Sequence, residues 1–481
     1  MPGKYYLTTA IPYVNSKPHI GFALELVQAD VLARYYRISG QDTYLLTGVD
    51  ENSLKNVRAA EQAGVSTQTL CDQNAASFEQ LVKSLDISIN QFFRTSSTQH
   101  HQGAQALWSA CQPDDIYKQT YKGLYCVGCE AYYTPDELVD GKCPEHLTVP
   151  DEIEEENYFF KLSNYQERLK KLIESGDLQI YPRFRKNEVL SFINMGLADF
   201  SISRSRARAK DWGVTVPGDD SQVMYVWFDA LSNYITALGY GSGDTTLFNT
   251  YWPADLHVIG KGISRFHAIY WPAMLLSAGI PLPKAVFVHG YVSANGQKMS
   301  KSLGNVVDPF EYIHSYGADA VRYYLLREIP PADDGDWSED KFVERYNANL
   351  ANDLGNLVSR VSNMMERYLE GVVPTIELPD PDYHLEDVYT LISQYRFNEA
   401  LDATWAIIKL ANKLVDDEKP WELYSKSNTE KLTVVLAKLV VMVQDIALAL
   451  EPFLPTTAKT IQTHFNQPVI KKITPLFPRI L

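Results

Sequence analysis

The stretch Tyr5-Tyr6-Leu7-Thr8-Thr9-Ala10-Ile11-Pro12, continued by a polar turn ending Ser16-Lys17-Pro18-His19-Ile20-Gly21, decides how the chain folds. Its first five residues favour a strand, and the proline and polar residues that follow break it. After the glycine, Leu24, Val27, Val31, Leu32 and Tyr35 recur at helical spacing, and Gly40 stands where such a helix stops. A second short strand, 42–47, runs into Gly48-Val49-Asp50. Strand, loop, helix and strand in this order predict a parallel α/β sheet with its site at the carboxyl ends of the strands. Asp50 falls at such an end.

Outward from this unit, helical sequence continues to about Cys111, and from there to about Gln222 the chain turns rich in tyrosine, cysteine and acidic residues. That segment reads as an insertion that splits the sheet. Strand patterns return at 223–228, 256–259 and 285–289, with helices at 229–239 and 265–278. Beyond Ala348 the sequence is helical, and Leu350, Leu354, Leu357, Val358 and Val361 mark one apolar stripe. The expected fold is a doubly wound parallel-sheet domain, Rossmann-like (HUP-type), divided by an insertion and followed by an α-helical bundle. Its parts are 1–113, 114–222, 223–295, a connecting segment 296–347, and 348–481.

A chain of 481 residues suits roughly three domains of about 150 residues. With 45% hydrophobic and 21% charged residues it lies in the globular range, which excludes extended disorder and collagen-like sequence. The longest apolar stretch, 439–454, contains Gln444, Asp445 and Glu451, so no membrane span is expected. The opening residues lack a basic segment followed by an apolar one, so a cytoplasmic location is expected. A net charge of −15 argues against sequence-blind DNA binding, and any nucleic-acid contact must be local. The acidic run Asp151, Glu152, Glu154, Glu155 and Glu156 reads as a solvated face.

Three constellations carry chemistry. Pro18-His19-Ile20-Gly21 places a histidine and a glycine at a helix N-terminus, where unpaired N–H groups and the positive dipole end attract phosphate. Gly296-Gln297-Lys298-Met299-Ser300-Lys301-Ser302 sets two lysines three apart in a glycine-flanked, serine-bearing loop, a polyphosphate clamp that keeps its mobility. Cys126-x-x-Cys129 with Cys143-x-x-His146 can close a tetrahedral zinc site with no open position, hence a structural one. A redox Cys-x-x-Cys pair is the other reading, and it leaves the second pair unexplained.

Taken with Ala10-Ile11-Pro12-Tyr13-Val14-Asn15, Leu124-Tyr125-Cys126-Val127-Gly128-Cys129, Tyr225-Val226-Trp227-Phe228-Asp229-Ala230, Phe266-His267 and Lys419-Pro420-Trp421-Glu422, the chain resembles the class I aminoacyl-tRNA synthetases, and within them the methionine-specific branch. The resemblance implies ATP-dependent activation of L-methionine and transfer to tRNA(Met). It implies His19, Lys298 and Lys301 as catalytic groups, with Gly21, Glu25, Gly260 and Ser300 joining them around ATP and Mg²⁺. It implies a methionine pocket of Ile11, Tyr13, Trp227, Ala230, Tyr234, Ile263 and His267, with Asp50 pairing the substrate ammonium. Such walls suit a soft, apolar thioether. On the bundle, Asn356, Arg360, Pro420 and Trp421 would read the anticodon, and the expected oligomeric state is a monomer. Synthetases for leucine, isoleucine or valine would carry a larger insertion, and a stand-alone nucleotidylyltransferase would not explain the bundle.

Three positions depart from the family pattern. Phe22 stands for the second signature histidine, Asn52-Ser53 for His-Gly after Asp50-Glu51, and Gly262 for the ribose-contacting Asp. One lost phosphate donor costs about 3 kcal/mol, roughly a hundredfold in rate, unless another group replaces it. Lys17, Asn52 and Lys55 are the polar candidates for replacement, and an impaired relative that keeps only a tRNA- or methionine-binding shell is the competing reading.

Overall fold

The computed structural model describes residues 3–128, 131–144, 147–299 and 304–480. Two compact units share the chain: one takes the residues up to Pro18 with Gly40–Gln80 and Ile89–His289, the other His19–Ser39, Leu81–Ser88 and everything from Gly290.

In the first unit a six-stranded sheet has the order Gln91–Arg94, Asp42–Val49, Lys4–Thr9, Leu256–Gly260, Ala285–His289, Gln179–Tyr181. Every pairing in it is parallel. The inner strands are buried along nearly their whole length, as a sheet covered on both faces requires, which is why they do not alternate apolar with polar residues. The doubly wound parallel-sheet fold expected from the opening stretch is therefore present. Its two outer strands, of four and three residues, are too short to stand out in the sequence. One of them, Gln179–Tyr181, lies within the stretch read as wholly inserted.

The strand expected at 223–228 does not join this sheet. Asp219–Met224 instead pairs antiparallel with Ser203–Ser205 and with Thr215–Val216, and a helix already begins at Val226. A short apolar run has the same composition in a buried helix as in a strand, and here Tyr225 is the extended cap that makes the change. The helix expected at 265–278 divides into a wider i→i+5 turn, Phe266–Tyr270, and a regular helix, Trp271–Ser277. Pro272 lacks the N–H that an unbroken ladder needs.

Residues within 114–222 build a separate four-stranded antiparallel sheet around the hairpin Ile116–Cys126 and Asp151–Phe160. The acidic run lies on the second strand of this hairpin and is largely exposed there, the solvated face expected of it. Its charges meet Lys122 at 2.9 Å from Glu152 and Arg208 at 3.0 Å from Glu155.

In the second unit the helix Ile20–Ile38 carries a fully buried Asp30, 2.7 Å from an equally buried Arg322. The same guanidinium donates to the carbonyls of Phe453, Pro452 and Leu85 at 2.7, 3.0 and 3.2 Å. The bundle comprises Asn356–Leu369, Leu385–Ser393, Phe397–Glu418, Thr429–Leu450 and Pro455–Phe465, and the stripe from Leu350 to Val361 is buried in it. Among the described residues Thr429–Leu450 is the one helix long and apolar enough to span a bilayer. It serves as a core helix: Leu432, Leu436, Leu439, Val443 and Ile446 are buried, and Asp445 accepts from the Tyr383 hydroxyl at 2.7 Å.

Candidate active site

The loops that leave the first unit's strands bring most of the expected pocket together. Tyr13 forms a parallel bridge with Asp50, whose N–H donates to the Pro12 carbonyl at 2.9 Å, so Tyr13 and Asp50 are fixed by backbone pairing beyond the strand ends. Asp50 is only 2% exposed and accepts from the Asn52 N–H at 3.1 Å. Trp227 stacks on Phe266 with centroids 3.8 Å apart and planes 6° apart, and meets the Tyr13 ring edge-on at 6.4 Å. Ala230 and Tyr234 follow Trp227 on the same helix, one and two turns on, and both are buried.

His267 sits 2.7 Å from the Tyr234 hydroxyl through Nε2 and 3.0 Å from the Ile263 carbonyl through Nδ1. A carbonyl only accepts, so Nδ1 carries the proton and Nε2 accepts from tyrosine. Burial pushes this imidazole down to about 4, so it is neutral at physiological pH. The result is an aromatic, uncharged wall whose Tyr234–His267–Ile263 chain is hydrogen-bonded within itself.

The sequence reading did not find Phe266 or His257 as pocket residues. Phe266 has no signal beyond its place beside His267. His257 has one, a lone polar residue in the apolar strand Leu256–Gly260.

The phosphate-type motifs lie in the second unit. His19 is the N-cap of Ile20–Ile38, and its Nδ1 accepts from the Gly21 N–H at 3.0 Å. Any side chain at Gly21 would collide with that imidazole, since a Cβ there stands 2.9 Å from His19 Cε1; the same point lies 3.9 Å from Met299 Cε. Met299, the last described residue of the lysine motif, therefore lies close to the histidine signature. Lys298 is exposed on a short hairpin, opposite Ser293, whose turn is Asn295-Gly296 with both residues at positive φ. Ser300 and Lys301 lie outside the described residues. Glu25 is buried on the helix that His19 caps, and Phe22 is buried as well, offering no donor. Gly260 closes its strand, with Lys261 and Gly262 opening the turn that leads to Ile263.

Of the three polar candidates for replacement, Asn52 is occupied elsewhere: its amide donates to the Thr95 carbonyl at 3.0 Å. Lys55 places its ammonium 4.3 Å over the Tyr13 ring, and Lys17 is exposed.

Cys126 and Cys143 are buried, outside any disulfide, and close on one residue, Thr148. Cys126 Sγ is 4.0 Å from Thr148 Oγ1, and the Cys143 N–H donates to the Thr148 carbonyl at 2.9 Å. Two soft donors delivered by neighbouring turns suit zinc. Cys129 and His146 lie outside the described residues, and no cluster of three potential ligands occurs among the described ones.

On the bundle, Asn356 is exposed one turn before Arg360. The Arg360 guanidinium lies 6.0 Å from the Trp421 ring centre and 2.9 Å from Asp416. Trp421 is 42% exposed and follows a buried Pro420 at the start of Pro420–Ser425. An indole of this size left half in solvent beside a planar cation is a ready stacking surface.

Comparison with known proteins decides the family. The family described as tRNA synthetases class I (M) matches residues 5–149 and 147–362. The chain belongs to the class I aminoacyl-tRNA synthetases, methionine branch. It is 45% identical over 472 residues to a methionine–tRNA ligase of Thermotoga maritima, covering 95% of this chain and 74% of that one. With the methionine–tRNA ligase of Brucella suis it shares 43% identity over 484 residues, 98% of this chain and 93% of that one. A solved structure of Mycobacterium tuberculosis methionyl-tRNA synthetase in complex with methionyl-adenylate superposes with a TM-score of 0.94 at 40% identity, covering 99% of this chain and all of that one. Against this family background the buried Phe22, the inward-turned Asn52 and Gly262 are local departures.

Proposed function

We propose that the chain is a methionine–tRNA ligase that activates L-methionine with ATP and transfers the methionyl group to tRNA(Met). The observation that carries this reading is the neutral aromatic pocket of Trp227, Tyr234 and His267, with the Asp50 carboxylate held beside Tyr13. The pocket takes the thioether and Asp50 pairs the ammonium, which leaves the substrate carboxylate to act. That carboxylate attacks the α-phosphorus of ATP, the bond to the β-phosphate oxygen breaks, and pyrophosphate leaves. A terminal ribose hydroxyl of the tRNA then attacks the methionyl carbonyl and AMP departs. No protein nucleophile is needed.

His19, Lys298 and Lys301 hold the phosphates while charge builds on them, with Gly21, Glu25, Gly260 and Ser300 lining ATP. Mg²⁺ bound with ATP beside these residues would neutralise part of that charge. Cys126, Cys129, Cys143 and His146 would hold one structural zinc, which fixes the turns of the inserted sheet. Asn356, Arg360, Pro420 and Trp421 read the anticodon by stacking and hydrogen bonding, so a protein of net charge −15 binds RNA through placed contacts. The division 1–113, 114–222, 223–295, 296–347 and 348–481, a monomeric state and a cytoplasmic location complete the proposal.

Methionine-dependent ATP–pyrophosphate exchange by the purified chain is the test. No exchange in the presence of Mg²⁺, with methionine binding intact, would sink the enzyme and leave a binding shell. For the metal, emission spectroscopy should find one zinc per chain and none in Cys126→Ser; an unchanged zinc content removes that thiol from the site.

A further inference from the structure

Behind the Tyr234–His267 pair stands a residue to which the reaction above gives no task. His257 lies in register with Thr8 on adjacent central strands, and neither has any solvent exposure. Thr8 Oγ1 and His257 Nδ1 are 2.7 Å apart. The His257 ring packs on the Tyr234 ring with centroids 4.3 Å apart and planes inclined by 34°, and lies 6.2 Å from His267. Its Nε2 finds no hydrogen-bond partner among the described residues. A buried imidazole with one nitrogen unpaired is an expensive way to fill a strand where valine or isoleucine would pack without that loss. Burial also holds both His257 and His267 below the ordinary histidine range, so neutral rings face each other.

Tyr234 is held on three sides. The Tyr6 hydroxyl donates to its carbonyl at 2.8 Å, Trp271 meets its ring edge-on at 6.2 Å, and His257 lies against its face. We propose that His257, braced by Thr8, is a positioning residue for methionine recognition that fixes the Tyr234 ring and so the hydroxyl that His267 accepts. The inference rests on reading this pocket as the methionine site. A Tyr234 ring tipped away from its neighbour would break the 2.7 Å bond to His267 and leave both a donor and an acceptor facing a soft, apolar ligand.

The test is exchange kinetics on active-site-titrated protein, with methionine binding measured by calorimetry. His257→Leu and Thr8→Val should each raise the methionine KM about fivefold to tenfold and leave kcat within about twofold, the size of one lost hydrogen bond. In a Tyr234→Phe background, where the hydroxyl is gone, the same substitutions should change KM by less than about twofold. Effects that multiply fully in the double variants, or a loss confined to the fraction of active sites, overturn the proposal. If His257→Leu fails to fold, Thr8→Val carries the test alone, because it removes the hydroxyl at nearly constant shape. A parent that binds methionine, with variants that behave independently, sinks only this inference. A parent that binds no methionine sinks the pocket reading with it.

Discussion

The proposed amino-acid pocket and the phosphate-type motifs are built in opposite ways. Around Tyr234 and His267 the groups are buried, the tyrosine hydroxyl, the imidazole and the Ile263 carbonyl bond to one another, and the imidazole is neutral. Around His19 and Lys298 the polar groups are exposed, carried on a capping turn and a two-residue hairpin strand. Selecting a thioether needs a fixed, uncharged surface, because a misplaced donor costs as much as a missing methyl group. Handling a triphosphate needs concentrated charge that can move with it. The contrast predicts that damage in the pocket appears in methionine KM and damage at the loop appears in kcat.

The hardest blow to that contrast would come from Asp50. Its removal in Asp50→Ala should lower kcat/KM for methionine by about a thousandfold, the cost of stripping the partner from a desolvated ammonium; a fall of less than about tenfold in exchange would assign the ammonium elsewhere. Next is the loop. Lys301→Ala should cut the exchange kcat about a hundredfold and leave methionine affinity by calorimetry unchanged, and a matching loss of affinity would erase the division of labour.

A third variant extends the comparison to the bundle. Trp421→Ala should raise the tRNA KM about tenfold with exchange untouched, as expected for one stacked base; equal aminoacylation kinetics would make the indole a surface residue.

The smallest effect sharpens the pocket side. His267 titrates near 6.5 when unfolded and is pushed to about 4 by burial. Between those values the unfolded chain takes a proton that the folded one refuses, so stability should decline as pH falls through that window. Methionine KM should stay flat down to about pH 5. Urea titrations and exchange at stepped pH would show it, and a KM that climbs already from pH 7 would mean that His267 is charged when it binds.

How much of this was legible depends on length and chemistry. The opening strand, its helix and the strand that ends near Asp50 could be read because each is long or apolar enough to declare its period. Gln91–Arg94 and Gln179–Tyr181 could not, since an edge strand of three or four residues is too short to show a pattern. The run at 223–228 misled because its apolar residues enter a helix at Val226. Of the expected site, Tyr13, Asp50, Trp227, Tyr234, Ile263 and His267 lie in a chain of mutual contacts. What sequence withheld was partnership: that Asn52 turns its amide to Thr95, that Trp227 shares its face with Phe266, and that Lys55 covers Tyr13. Such pairings join residues far apart in the chain, and no local spacing encodes them.

The buried Arg322 has a consequence for how the second unit opens. One cation holds Asp30 in the helix that His19 caps, the Leu85 carbonyl, and the turn at Pro452 and Phe453 that ends the longest apolar helix. None of these can leave without stranding a charge, at about 3–5 kcal/mol. Amide protons of Ile20–Ile38 and of Thr429–Leu450 should therefore exchange with deuterium as a single cooperative block, although some four hundred positions separate them along the chain.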